Sequence, residues 1–134
     1  MALCIQGKGW SLMQIGLPAH FEFLVGSYFE SFSEKVDYKT LREEGERCKN
    51  NPFAKVAIGR QLVKLVPKAD VGYFLIYDGL LLLHMQKSAL ECLLHAFSSG
   101  IKTKYICRRI IKAYRDQSLY ISAEAFIKKK FNVF

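Results

Sequence analysis

Residues 71–91, VGYFLIYDGLLLLHMQKSALE, form a strongly apolar run, and the way they fold decides the fold class. A membrane-crossing helix needs about 20 residues that are mostly apolar and uncharged, and Asp78 divides this run in two. Asp-Gly between two apolar runs is typical of a β-hairpin, because a type I′ turn requires positive φ at both central residues. The sequence therefore predicts a hairpin of strands Gly72–Tyr77 and Leu80–Met85. Neither strand alternates, so we expect helices or a second subunit to cover both faces.

The segments before the hairpin are predicted to be mostly strands. Glycines interrupt the first residues, which favours short strands at Leu3–Ile5 and Trp10–Ile15, and aromatic residues favour a further strand at His20–Phe29. A helix is predicted to begin near Asp37. The stretch Phe53–Val66 fits a helix in part, but its β-branched residues favour a strand.

The remainder of the chain has helical signals. Ser88 and Glu91 have the spacing of a capping box that opens a helix. Gly100 is a natural residue to follow the end of that helix. A second helix is predicted over Thr103–Arg115, with apolar residues on one side and cations on the other. Ser122 is expected to cap a last helical turn.

Together these elements predict one α+β domain over residues 1–134. Its antiparallel sheet would contain the apolar hairpin, packed by helices, and a helical pair would follow at the C-terminus. The four cysteines are far apart and form no CxxC pair, and no signal-peptide pattern is present. These features predict reduced thiols in a protein that faces the cytosol.

The net charge of +8 is concentrated in two blocks. Residues 47–68 contain six bases and no acid, and residues 101–134 contain nine bases and two acids. Such blocks predict positive faces that attract RNA, DNA or anionic lipid headgroups. The candidate binding residues are Lys55, Arg60, Lys64, Lys102, Lys104, Arg108, Arg109, Lys112, Arg115, Lys128, Lys129 and Lys130.

Motifs for catalysis are weak in this sequence. Cys92 and His95 share a helical face, but two such residues fall short of the four ligands of a structural zinc site. A Cys-His nucleophile pair is not excluded by spacing, and nothing positively supports one. We therefore predict a non-enzymatic protein with no metal, no cofactor and no small-molecule substrate.

A helix-turn-helix is a second interpretation of residues 88–115. Ala96, Gly100, Ile101 and Ile106 approximate the small-residue, turn-glycine and apolar spacing of that motif, with Thr103–Arg115 as recognition helix. Arg109 stands where the motif usually has an apolar residue. This alternative predicts a regulatory or accessory nucleic-acid-binding protein.

Several short motifs resemble viral matrix proteins. The segment GYFLIYDGLLLLHM (72–85) and the early GW…LM (9–13) resemble segments of bornavirus matrix proteins. NPFAK (51–55) and AFSSG (96–100) are similar to elements of rhabdovirus matrix cores. No PPxY or PTAP motif is present, so the recruitment of budding machinery is not implied.

This resemblance implies a single α+β domain that coats the inner leaflet of a viral envelope. It implies self-association into homo-oligomers, peripheral binding to anionic membrane, and contact with single-stranded RNA or ribonucleoprotein. The expected location is then the virion, on the inner face of the envelope, and the host cytoplasm and its peripheral membranes.

Overall fold

A computed structural model describes residues 17–31, 37–48 and 50–131, and all regular structure within these ranges is helical. The predicted α+β fold with an antiparallel sheet is therefore wrong. The described helices are α1 (Ala19–Ser31), α2 (Tyr38–Arg47), α3 (Pro52–Leu65), α4 (Val71–Leu82), α5 (Gln86–Ser98), α6 (Lys104–Asp116) and α7 (Tyr120–Phe131).

The predicted hairpin is helix α4, and the Asp-Gly pair lies inside it rather than in a turn. A Cβ at Gly79 would lie 2.9 Å from the carbonyl oxygen of Pro52 and 2.7 Å from Val56 Cγ2. The glycine is thus required by the close approach of α3, and Asp78 pairs with cations of two other helices. Both residues therefore serve the packing of helices, although an Asp-Gly pair in the sequence is typical of a turn.

Two other predicted strands are also helices. His20–Phe29 lies in α1, and Phe53–Val66 corresponds to α3. The start of α3 carries local helix signals, since the Asn51 side chain accepts a hydrogen bond from the Ala54 amide at 3.1 Å and Pro52 is the first helical residue. The β-branched residues of α3 are tolerated because tertiary packing outweighs their weak preference. The strands predicted at Leu3–Ile5 and Trp10–Ile15 lie outside the described residues.

Several alternate helices in the chain also contact each other. Helix α1 packs against α3, and α5 meets α7 where the rings of Phe97 and Phe126 make an edge-to-face contact at 4.9 Å. Helix α2 reaches α4 next to Leu75, and α4 reaches α6 through Asp78. From α2 onward each helix also packs against the next one in the chain. Helix α6 is consequently in contact with α4, α5 and α7.

Helices α3 and α4 make the most extensive contact, and a pair of glycines forms its centre. A Cβ at Gly59 would lie 2.7 Å from the Gly72 carbonyl oxygen, and a Cβ at Gly72 would lie 2.8 Å from that of Gly59. Any side chain at either position would force the two backbones apart. This close crossing makes α4 a buried core helix.

Three helix ends share one geometry. After α4, α5 and α6 the chain enters the left-handed region at His84 (φ 62°), Gly100 (φ 104°) and Ser118 (φ 60°). In each case the next residue donates to the carbonyl five positions earlier, as Ile101 does to Ala96 at 3.0 Å. These are Schellman motifs, and the prediction for Gly100 is confirmed.

The predicted helix starts are confirmed in part. The Asp37 carboxylate accepts from the Thr40 amide at 2.8 Å and caps α2, and this hydrogen bond lowers the pKa of Asp37. Thr103 caps α6 through the Ile106 amide at 3.2 Å. The capping box is wrong, because α5 begins at Gln86 and Ser88 is buried inside it.

Candidate nucleic-acid interface

Helix α6 separates its apolar and cationic residues more sharply than the other described helices. Its buried face consists of Ile106, Cys107, Ile110 and Ala113. On the exposed face, cations recur every three or four residues and therefore lie above one another on the helix surface. We call Lys104, Arg108, Lys112 and Arg115 the α6 row; it extends for ~16 Å at the helical rise per residue.

Three members of the α6 row make no ion pair within the described part of the chain: Lys104, Arg108 and Arg115. Lys112 donates to Asp116 Oδ2 at 2.9 Å, and this hydrogen bond raises the pKa of Lys112. Both partners are exposed, so the pair is weak and Lys112 can turn to another anion. The row therefore presents four cationic side chains on one helix face.

Arg109 lies beside the row but is used within the fold. Its guanidinium is 3.5 Å from Asp78 and lies over the ring of Phe74, 4.9 Å from the centroid. The ring of Tyr77 is 5.7 Å away. These contacts join α6 to α4. The predicted site residue Arg109 thus fixes the orientation of α6 and is only 43% exposed.

Aromatic side chains accompany the cations at the start of α6. Tyr105 follows the first residue of the row and is 62% exposed. Lys102 precedes the helix, and its ammonium lies 4.7 Å from the centroid of the Phe97 ring. An exposed tyrosine between cations provides a surface on which an unpaired base can stack.

The basic block of residues 47–68 is placed differently. Arg60 is 6% exposed and forms two hydrogen bonds with Glu22 of α1, at 2.8 and 2.9 Å. The Lys55 side chain is 12% exposed and lies 3.9 Å from Asp78. Of the three candidates on α3, Lys64 alone is classed as exposed. Two of these cations are therefore part of the interior.

The lysines of α7 do not form one surface. Lys128 and Lys129 are exposed, whereas Lys130 is half-buried. Consecutive helical residues point about 100° apart, so the three ammonium groups face in different directions. Lys129 contributes to a cavity between α5, α6 and α7. This run therefore does not extend the α6 row.

Cys92 and His95 are both packed against Tyr73. The Cys92 thiol is buried and donates to the Tyr73 carbonyl at 3.8 Å, and burial raises the pKa of this thiol well above its usual range. Burial lowers the pKa of His95, so its imidazole is neutral near pH 7. A protonated, buried thiol is a poor nucleophile, which argues against catalysis by Cys92.

The part of the chain that the structure describes contains no group of three side chains suited to hold a metal ion. Among these same residues, none of the helices combines the length and apolar character needed to cross a membrane.

Sequence reasoning missed an apolar surface at one end of the array. A hydrogen bond from Gln117 Nε2 to the Gln86 carbonyl, 3.2 Å long, joins the α4–α5 and α6–α7 turns. We call the exposed apolar residues beside these turns the apolar end: Leu81, Leu82, Leu119, Tyr120 and Ile121. The segment Leu-Tyr-Ile (119–121) next to a polar turn is the local sequence signal of this surface.

Comparisons with protein-family models, with curated proteins and with solved structures found no match.

Proposed function

We propose that this chain is a non-enzymatic protein that binds single-stranded RNA through the α6 row. The observation that carries the proposal is the alignment of four cations on one exposed helix face, with Asp116 as the only acid on α6. Phosphate groups attract such a face whatever the base sequence, because the contacts neutralise backbone charge.

Single-stranded RNA is favoured over duplex by the exposed Tyr105 among the cations. Unpaired bases can stack on an aromatic ring, whereas bases inside a duplex cannot reach it. The helix-turn-helix alternative instead requires that α6 enter a major groove and contact base edges. The two functions differ in their preferred ligand, so one titration with both nucleic acids separates them.

The experiment measures binding of a short unstructured RNA to the double variant Arg108→Glu/Arg115→Glu. We expect a loss of at least roughly tenfold in affinity and a salt dependence that is shallower by about 1.4, since each removed phosphate contact contributes about 0.7. The matched control is Lys64→Glu/Lys68→Glu, which makes the same charge change at exposed lysines of the other basic block.

Equal losses in both variants would mean that only net charge matters, and the α6 row would have no special role. Tight binding of one duplex sequence over random competitor would support the regulatory alternative. Circular dichroism of each variant checks the fold, which we expect to remain intact because all four residues are exposed.

A second candidate function is peripheral binding to an anionic membrane, and the apolar end favours it. Its five large apolar side chains are clustered at two adjoining turns, and Ile121 is 85% exposed. Lys112 and Arg115 of the row precede Leu119, the first apolar-end residue after α6, by only a few residues in the sequence. Apolar residues that enter the interface beside cations that meet anionic headgroups are a common basis of peripheral binding.

Sedimentation with vesicles that contain or lack phosphatidylserine tests this function. The variant Leu119→Ser/Ile121→Ser should lose vesicle binding and retain RNA binding. A wild-type protein that binds RNA but no vesicles would rule out the membrane role and leave the RNA role standing.

A matrix-type role at the inner face of a viral envelope is the wider form of this proposal. It requires both binding activities together with a homo-oligomer, and it no longer has support from the fold, since the α+β fold that the resemblance implied is wrong. Light scattering at high concentration provides the test, and a monomer there would exclude the role.

A further inference from the structure

A cavity of about 290 Å³ lies between α5, α6 and α7, and none of its described lining residues belongs to the α6 row. Its apolar walls are the side chains of Leu94, Phe97, Tyr114 and Phe126. The ring of Phe126 is edge-to-face with Phe97 at 4.9 Å and tilted against Tyr114 at 6.4 Å. Three rings from three helices therefore hold the cavity in shape.

The lining of the cavity has few polar residues: Ser98, Ser122 and Lys129. Each of these side chains can donate a hydrogen bond. No carboxylate is among the described lining residues. The polar side of the cavity is therefore suited to an anion.

We propose that this cavity binds a small amphiphilic anion: a carboxylate attached to a flat aromatic body of about two rings. The size follows from the volume, because an apolar cavity of about 150 Å³ accommodates benzene. The aromatic body packs against the three rings. The carboxylate pairs with the Lys129 ammonium and accepts hydrogen bonds from the serine hydroxyls.

The test uses naphthoate as the probe and naphthalenemethanol as its neutral counterpart, with affinities measured by calorimetry or by chemical-shift titration. Wild-type protein should bind naphthoate more tightly than the alcohol by about fivefold, the effect of one ion pair near the surface. Lys129→Met keeps the apolar stem and removes the charge, so the two probes should then bind equally.

Two further variants distinguish binding in the cavity from a general effect of positive charge. Ala125 also lines the cavity, so the larger side chain of Ala125→Phe should occupy part of the space and weaken both probes by roughly tenfold or more. Lys128→Met removes a neighbouring exposed charge outside the lining and should change neither affinity.

Three outcomes would overturn the proposal: no binding of naphthoate by the wild-type protein, equal losses in Lys128→Met and Lys129→Met, or unchanged binding in Ala125→Phe. RNA binding measured on the same variants keeps this site distinct from the α6 row, because Lys129→Met and Lys128→Met should affect RNA equally. Failure of either proposal therefore leaves the other intact.

Discussion

Helices α3 and α6 belong to the two basic blocks of the sequence, yet the fold uses their cations in opposite ways. On α3, Arg60 is buried against Glu22 and Lys55 is nearly buried beside Asp78. On α6, the four cations of the row are exposed. The difference follows from position, because α3 is surrounded by α1, α2 and α4, whereas α6 keeps one face free of neighbours among the described helices.

This comparison shows that a count of charges cannot locate a binding surface. A cation inside a helix array must have a carboxylate partner, since an isolated buried charge is strongly unfavourable. Cations on an amphipathic helix can remain unpaired because water solvates them until a ligand arrives. Periodicity, rather than charge density, therefore distinguishes α6 from α3.

The largest expected effect on stability comes from breaking the ion pair between Arg60 of α3 and Glu22 of α1. Glu22→Ala removes the carboxylate that holds Arg60 at 2.8 and 2.9 Å, and we expect the free energy of unfolding to fall by about 3 kcal/mol. The matched control on α6 is Asp116→Ala, which removes an exposed partner at 2.9 Å and should cost less than about 0.5 kcal/mol. Urea denaturation measures both, and similar losses would show that burial does not distinguish the helices.

The next effect concerns the crossing that buries α3. Gly72→Ala would place a Cβ 2.8 Å from the Gly59 carbonyl oxygen and 2.9 Å from the Val63 amide nitrogen. We expect a loss of about 2 kcal/mol in the free energy of unfolding, because backbone atoms cannot move aside easily.

Gly26→Ala in α1 serves as the control for the crossing. In the described part of the chain, no atom outside the neighbouring backbone of α1 lies within 4 Å of the position that its Cβ would take. Alanine is the better helix former, so this variant should gain up to about 1 kcal/mol. A Gly72→Ala protein as stable as the Gly26→Ala protein would contradict the proposed close contact.

The smallest expected effect on stability concerns the turns that precede and follow α6. Ser118 has φ 60°, a conformation that glycine adopts without strain, so Ser118→Gly should stabilise the protein by about 1 kcal/mol. Gly100→Ala, at φ 104°, should destabilise it by about the same amount. Thermal unfolding gives both signs, and the same sign for the two changes would refute the assignment of matching Schellman ends.

The sequence predicted those elements whose signals are local. Asp37 and Thr103 cap helices because their side chains reach an amide three residues later, and Gly100 ends α5 by its own conformation. The cations of the α6 row were identified for the same reason, since spacings of three and four residues define a helix face. Arg109 was also assigned to that face, and its contact with Phe74 and Asp78 depends on α4.

What the sequence by itself determined is the amphipathic character of α6, its two ends and its cations, because these depend on residues within a few positions of one another. Only the tertiary structure decided that residues 71–82 form a core helix and not part of a hairpin, and that Arg60 is an interior residue. The physical reason is that a nearly uniform apolar run lacks the hydrophobic periodicity that distinguishes a helix from a strand. Its conformation is set by partners such as Gly59 of α3, which lies outside the run in the chain and close to it in space.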